Sequence, residues 1–227
     1  MKIRSLILWD MRFQFKYGFY LIYGILTVLY VTVLHALPSA WQGKTAVLLI
    51  FSDPAAMGLF FMGAILLLEK SQRVLHALAA SPVSAAEYIG SKVISLGLLS
   101  VLVALLLSLS ANVRNLPLVL LGTALASVMF TLLGIIAATK ITSLNQFLLV
   151  AAPLELVCFV PAILSLFEIG PRVLHFYPPS ICIGMMQGSL PYPVLDLALV
   201  ILAIVLLFWI TRRFVVKLWQ QTGGARL

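Results

Sequence analysis

Six apolar runs, each long enough to cross a bilayer, recur within 227 residues and leave only short connections between them. A spanning helix needs about 20 apolar residues at roughly 1.5 Å of rise each. The runs lie at about 17–37, 46–68, 93–111, 118–138, 147–167 and 194–210. Hydrocarbon offers no water to unpaired backbone groups, so each run is read as a helix. The expected fold is therefore an all-α membrane protein with six transmembrane helices. The hydrophobic share is 63% and the charged share 10%, against about 45–50% and 25% in soluble domains. That balance excludes a soluble enzyme.

The second run is interrupted by Ser52-Asp53-Pro54. Its firm helical part is expected to begin at Pro54, a residue that suits a helix start. Asp53 would then be the N-cap at the outer boundary.

Orientation follows from the cations. Segments 1–16, 69–92, 139–146 and 211–227 hold 4, 3, 1 and 4 Lys/Arg, which is 12 of the 15. Lys44, Arg114 and Arg172 are alone in the alternate segments. The positive-inside rule places both termini and the 69–92 loop in the cytoplasm. The net charge of +8 suits anionic lipid head groups. It gives no support to nucleic-acid binding, because the cations are dispersed between the spans. The leader, residues 1–16, mixes Ile3, Leu6, Leu8, Trp9 and Phe13 with Lys2, Arg4, Arg12 and Lys16. This pattern predicts an amphipathic interfacial helix, and the run behind it is too long for a cleavable signal. The chain reads as one transmembrane domain: leader, bundle over 17–210, and cytoplasmic tail over 211–227.

Two connections are long, 69–92 inside and 168–193 outside. In the first, residues 71–80 have helical spacing, with Val74, Leu75, Leu78 and Ala79 on one face and Gln72, Arg73 and His76 on the other. Ser81-Pro82 stops that helix, because a residue before proline is pushed out of the helical region. Ser84 with Glu87 three residues on forms a capping box that starts the third span through Tyr88 and Lys92. The apolar face of 71–80 fits either a groove on a soluble partner or the lipid surface.

These residues resemble a known family. Glu69, the short helix, Ser81-Pro82-Val83-Ser84, Glu87-Tyr88 and Lys92 look like the cytoplasmic loop of type-2 ABC exporter permeases. Ser52-Asp53-Pro54 through Leu68-Glu69, with Trp9-Asp10-Met11-Arg12, most resemble the fluoroquinolone export permease subgroup. The resemblance implies a coupling helix that seats in a separate ATP-binding subunit, flanked by Glu69, Arg73, Ser81, Pro82, Glu87, Tyr88 and Lys92. It also implies two ATPase copies, a second copy of this permease or a related one, and short outer helices before the last span. ATP and Mg would belong to the ATPase, with no cofactor on this chain. The implied location is a bacterial plasma membrane, and the implied cargo a hydrophobic or amphipathic drug-like molecule moved outward. Gly43-Lys44-Thr45 imitates a phosphate loop, but Pro38 stands where its first glycine is required.

Glu155 lies mid-span between Pro153 and Pro161. A charge at that depth costs about 2.5–3.5 kcal/mol on insertion scales. It serves either as a contact on the translocation path or as a structural carboxyl bonded to backbone freed by the prolines. The resemblance places the second and fifth spans along the path, which makes Asp53, Glu155 and Phe159 candidates. Asp196 is expected to be an interfacial first-turn charge. Cys158 and Cys182 read as unpaired small apolar residues. His35, His76 and His175 are divided between the two sides, so no metal site is expected. A proton-coupled transporter using Glu155 is the alternative function. An intramembrane enzyme lacks converging catalytic groups.

Overall fold

The computed structural model describes residues 2–113 and 115–221. Ten α-helices lie among the described residues, and six helical stretches are long and apolar enough to cross a membrane. Helix α1 (Lys2–Lys16) is the leader. It ends at Gly18, whose φ of 77° needs the left-handed conformation that glycine adopts without a Cβ penalty. Helix α2 (Phe19–Ala36) is the first span.

The second span corrects the expectation drawn from Pro54. It is helical from Ser39 to Ser71, as α3 (Ser39–Ile50), a π-helical turn (Phe51–Ala55) and α4 (Met57–Ser71). Pro54 cannot donate to the ladder and would clash with the carbonyl four residues back. A widened turn absorbs that clash without breaking the helix. Asp53 is therefore inside the span and is not an N-cap.

Helix α5 (Val74–Ala79) follows a break at Arg73, whose φ is 56°. It is shorter than the ten residues expected. Helix α6 (Ala85–Ser110) begins at the predicted capping box: Glu87 N donates to Ser84 Oγ at 3.2 Å, and Ser84 N donates to Glu87 Oε2 at 2.8 Å. Helix α7 (Leu116–Thr139) is the centre of the bundle, packed against α4, α6, α9 and α10. Close approach of α4 to α7 rests on glycine. A Cβ at Gly134 would lie 2.6 Å from Gly58 O and 2.8 Å from Leu59 O. Small residues at such crossings let two backbones touch where no hydrophobic drive brings helices together.

Helix α8 (Leu144–Leu166) runs unbroken through Pro153 and Pro161. Beyond it come a 3-10 turn (Arg172–Phe176) and α9 (Pro178–Gln187). Helix α9 is no surface loop: Ile181, Cys182, Ile183, Met185 and Met186 are buried against the bundle. Helix α10 (Pro193–Gln221) carries the last span and continues to Gln221. The expected tail is thus helical as far as it is described, with Thr211, Val215, Leu218 and Trp219 buried. Residues 222–227 lie outside the described residues.

Candidate functional site

The basic end of the bundle carries the most concentrated polar chemistry. Lys92, on the first turns of α6, sends its ammonium into a site where it is 1% exposed. There it donates to Asp10 Oδ1 of α1 and to Glu69 Oε1 at the end of α4. Glu69 also accepts from Tyr88 Oη at 2.7 Å. The ammonium lies 5.4 Å from the Trp9 ring and 5.2 Å from the Tyr88 ring, so cation–π contacts enclose it. Gln14 Nε2 donates to Ser95 Oγ at 2.9 Å one turn farther along the same α1–α6 seam. Trp219 of α10 closes the site, its ring 5.8 Å from that of Tyr88.

Burial makes these charges interdependent. An isolated ion here would be expensive, so each is tolerated only through its partner. Two carboxylates share one ammonium, and Asp10 Oδ2 is buried with no partner. The cluster holds α1, α4 and α6 together at one point.

The sequence placed Glu69, Tyr88 and Lys92 as separate flanks of a docking helix. The structure brings them into one cluster and leaves them inaccessible to a partner. Asp10 was missed as a site residue. Its one signal was an acid alone among the four cations of the leader, beside a tryptophan. Helix α5 also sits differently from expectation. Leu75 is 1% exposed and belongs to the core. Val74 and Leu78 line an apolar cavity of about 600 Å³ with Ser5, Leu6 and Trp9 of α1. Helix α5 packs on α4 and α10, and its remaining apolar side borders that cavity opposite α1. The exposed polar residues here are Arg73, at the start of α5, and His76. Ser81 Oγ donates to Leu78 O at 2.7 Å and closes the helix before the exposed Pro82.

The membrane-embedded candidates divide. Phe159 is buried in an aromatic cluster, its ring 5.0 Å from Phe51 and 5.5 Å from Phe130. Asp53, two residues beyond Phe51, lies near Tyr23 and Tyr30 of α2, and its Oδ2 is buried without a hydrogen-bond partner. Glu155 is only half-buried and shares α8 with the exposed Leu156, Val157 and Val160. It lies at the rim of the chain. Gly43-Lys44-Thr45 is part of helix α3, so it forms no phosphate loop. Asp196 corrects its expectation: it is fully buried, accepts from Tyr192 N at 3.2 Å, and lies 3.2 Å from His175 Nε2. Cys158 and Cys182 are both buried and unpaired.

These features define a multi-pass helical membrane protein, with a short helix and a buried ionic cluster at its basic end. A comparison with curated proteins finds no match. The model of the fluoroquinolones export permease family matches residues 1–218, and the chain belongs to that family. It is an export permease by that membership.

Proposed function

We propose that the chain is the membrane-spanning subunit of an ATP-binding-cassette exporter in a bacterial plasma membrane, with both termini cytoplasmic. Its cargo would be a hydrophobic or amphipathic drug-like molecule of the fluoroquinolone kind. The observation that carries this reading is the family match across residues 1–218. Two ATPase subunits would supply ATP and Mg, and a second copy of this permease or a related one would complete the path.

The arrangement at the basic end supports a coupling role. An ATPase surface meeting Arg73 and His76 would press on α5. Leu75 would transmit that displacement into the core, and the packing of α5 on α4 and α10 would carry it to those spans. The Asp10–Lys92–Glu69 cluster obliges α1, α4 and α6 to move together, since separating them would strand a buried charge. Alternating access then follows from rocking two such units against each other.

Affinity purification of the tagged protein from its own membrane, in mild detergent with mass spectrometry, tests the assembly. A nucleotide-binding ATPase should be recovered with the native chain and lost with Arg73→Glu/His76→Glu. These exposed positions avoid the unfolding that a charge at Leu75 would cause. Recovery of no ATPase, under conditions that preserve a known exporter complex, would overturn the ATP-driven reading.

A further inference from the structure

A second polar feature at the basic end takes no part in the charge cluster. A cavity of about 660 Å³ opens between the end of α4, the α7–α8 connection and the last turns of α10. Lys70, Lys140, Arg213 and Lys217 line it, with Ile141 and Phe214 between them. Four cations converge there, and no carboxylate is in the lining.

The reason they stay uncompensated is traceable. The acids at this end are already engaged: Asp10 and Glu69 with Lys92, and Glu87 with Ser84. Among the described residues, no carboxylate pairs with Lys140, Arg213 or Lys217. The cations are held apart from one another by specific contacts. Lys70 Nζ donates to Ala138 O at 3.1 Å, Thr139 O at 3.3 Å and Ile141 O at 2.7 Å, which uses its three donors. It therefore contributes field, while the other three keep donors for a ligand. Lys140 Nζ lies 5.1 Å from the Phe214 ring centroid, and the Arg213 guanidinium stacks 3.5 Å from that of Trp209. Trp209 is 52% exposed, the position of an aromatic at a membrane–water boundary. The cavity thus combines a cationic mouth, apolar walls and headgroup depth.

We infer that this cavity binds the phosphate of an anionic phospholipid, with Lys140, Arg213 and Lys217 as its donors and Ile141 and Phe214 against the upper acyl chain. Guanidinium and ammonium groups donate charge-assisted hydrogen bonds to phosphate oxygens. Basic pockets between spans on the cytoplasmic side are a recognised setting for such headgroups. The bound lipid would tie α10 to the α7–α8 connection, two elements that share no direct ion pair. The inference does not depend on the ATP-driven reading.

The test is native mass spectrometry of the full chain purified in mild detergent and incubated with equal phosphatidylglycerol and phosphatidylcholine. One phosphatidylglycerol should be retained in preference. The variant Lys140→Gln/Arg213→Gln/Lys217→Gln should lose it, by about fivefold per cation and on the order of a hundredfold in all. Lys140→Arg/Lys217→Arg should keep it, which separates lost charge from lost fold. Arg4→Gln/Arg12→Gln/Lys16→Gln, an equal loss of exposed charge on α1, should also keep it. Equal loss in both triple variants, or retention in both, would overturn the site. Displacement by millimolar inorganic phosphate would assign it to a free anion and overturn the lipid. Unchanged lipid retention with loss of a co-purifying ATPase would make the patch a protein contact and overturn it likewise.

Discussion

Replacing Lys92 with methionine tests whether the buried cluster is held by charge. The side chain keeps an unbranched apolar stem and loses only its terminal ammonium, so two carboxylates, Asp10 and Glu69, are left without their cation at 3% and 0% exposure. Removing one partner of a buried ion pair costs about 3–5 kcal/mol. For a chain of this size that is about 2–4 °C per kcal/mol, so Lys92→Met should melt roughly 6–20 °C lower in detergent. Asp10→Asn should cost less, about 1–3 kcal/mol, because a neutral Lys92–Glu69 pair survives. The triple variant Asp10→Asn/Glu69→Gln/Lys92→Met should recover most of the loss, since neutral replacements of buried ions are often tolerated. The assay is thermal unfolding of the purified chain followed by intrinsic tryptophan fluorescence, with size-exclusion recovery as a second probe. A triple variant that melts as low as Lys92→Met would refute the charge argument. The stability would then lie in packing of the Lys92 stem between Trp9 and Tyr88.

Gly134→Ala should lower stability by about 1–3 kcal/mol, because its Cβ would meet Gly58 O at 2.6 Å and force α4 from α7; an unchanged melting point would mean the crossing is looser than described. Ser84→Ala removes the hydroxyl that accepts from Glu87 N and should cost about 1 kcal/mol, read as the same melting shift. Burial pushes the Cys182 thiol up to about 12, since a thiolate is disfavoured away from water. In a Cys158→Ser background, maleimide labelling at Cys182 should therefore stay far below that of an exposed thiol through pH 9 and rise only on unfolding. Rapid labelling of the native chain at pH 7 would show that α9 opens.

The six spans were legible because an apolar run of this length has one stable solution in a bilayer. The Ser84–Glu87 capping box was legible because both partners lie within one helical turn. Features that depend on distant chain were not. Pro54 read as a helix start, since a linear sequence cannot show that a widened turn will reclaim the ladder. Periodicity in α5 showed an apolar face but not that Leu75 would be buried in the core while Val74 and Leu78 border a cavity. Lys92 finds its partners 82 and 23 residues away, and no local pattern pairs them. Asp196 looked like an ordinary first-turn acid until the 3-10 turn brought His175 against it. In each case the sequence specifies the chemistry of a residue, while the packing decides which surface that chemistry meets.

The same distinction sorts the three membrane-embedded candidates. Phe159 is enclosed by Phe51 and Phe130, which makes it part of the internal structure of one copy, while Asp53 is partly buried near Tyr23 and Tyr30. Glu155 stands at the edge of the α8 face that the chain leaves uncovered, next to Leu156 at 62% exposure. If the path runs between two permease copies, Glu155 is the candidate positioned to line it. Phe159→Ala should then act through stability, costing about 3–5 kcal/mol as a buried aromatic truncation. Glu155→Gln should leave the melting point nearly unchanged and lower efflux of a cationic cargo several-fold, with a neutral cargo spared. Reconstituted vesicles with matched cationic and neutral fluorescent substrates would separate these effects. Equal loss for both substrates, or none for either, would remove Glu155 from the path, leaving a carboxyl that only satisfies its own helix.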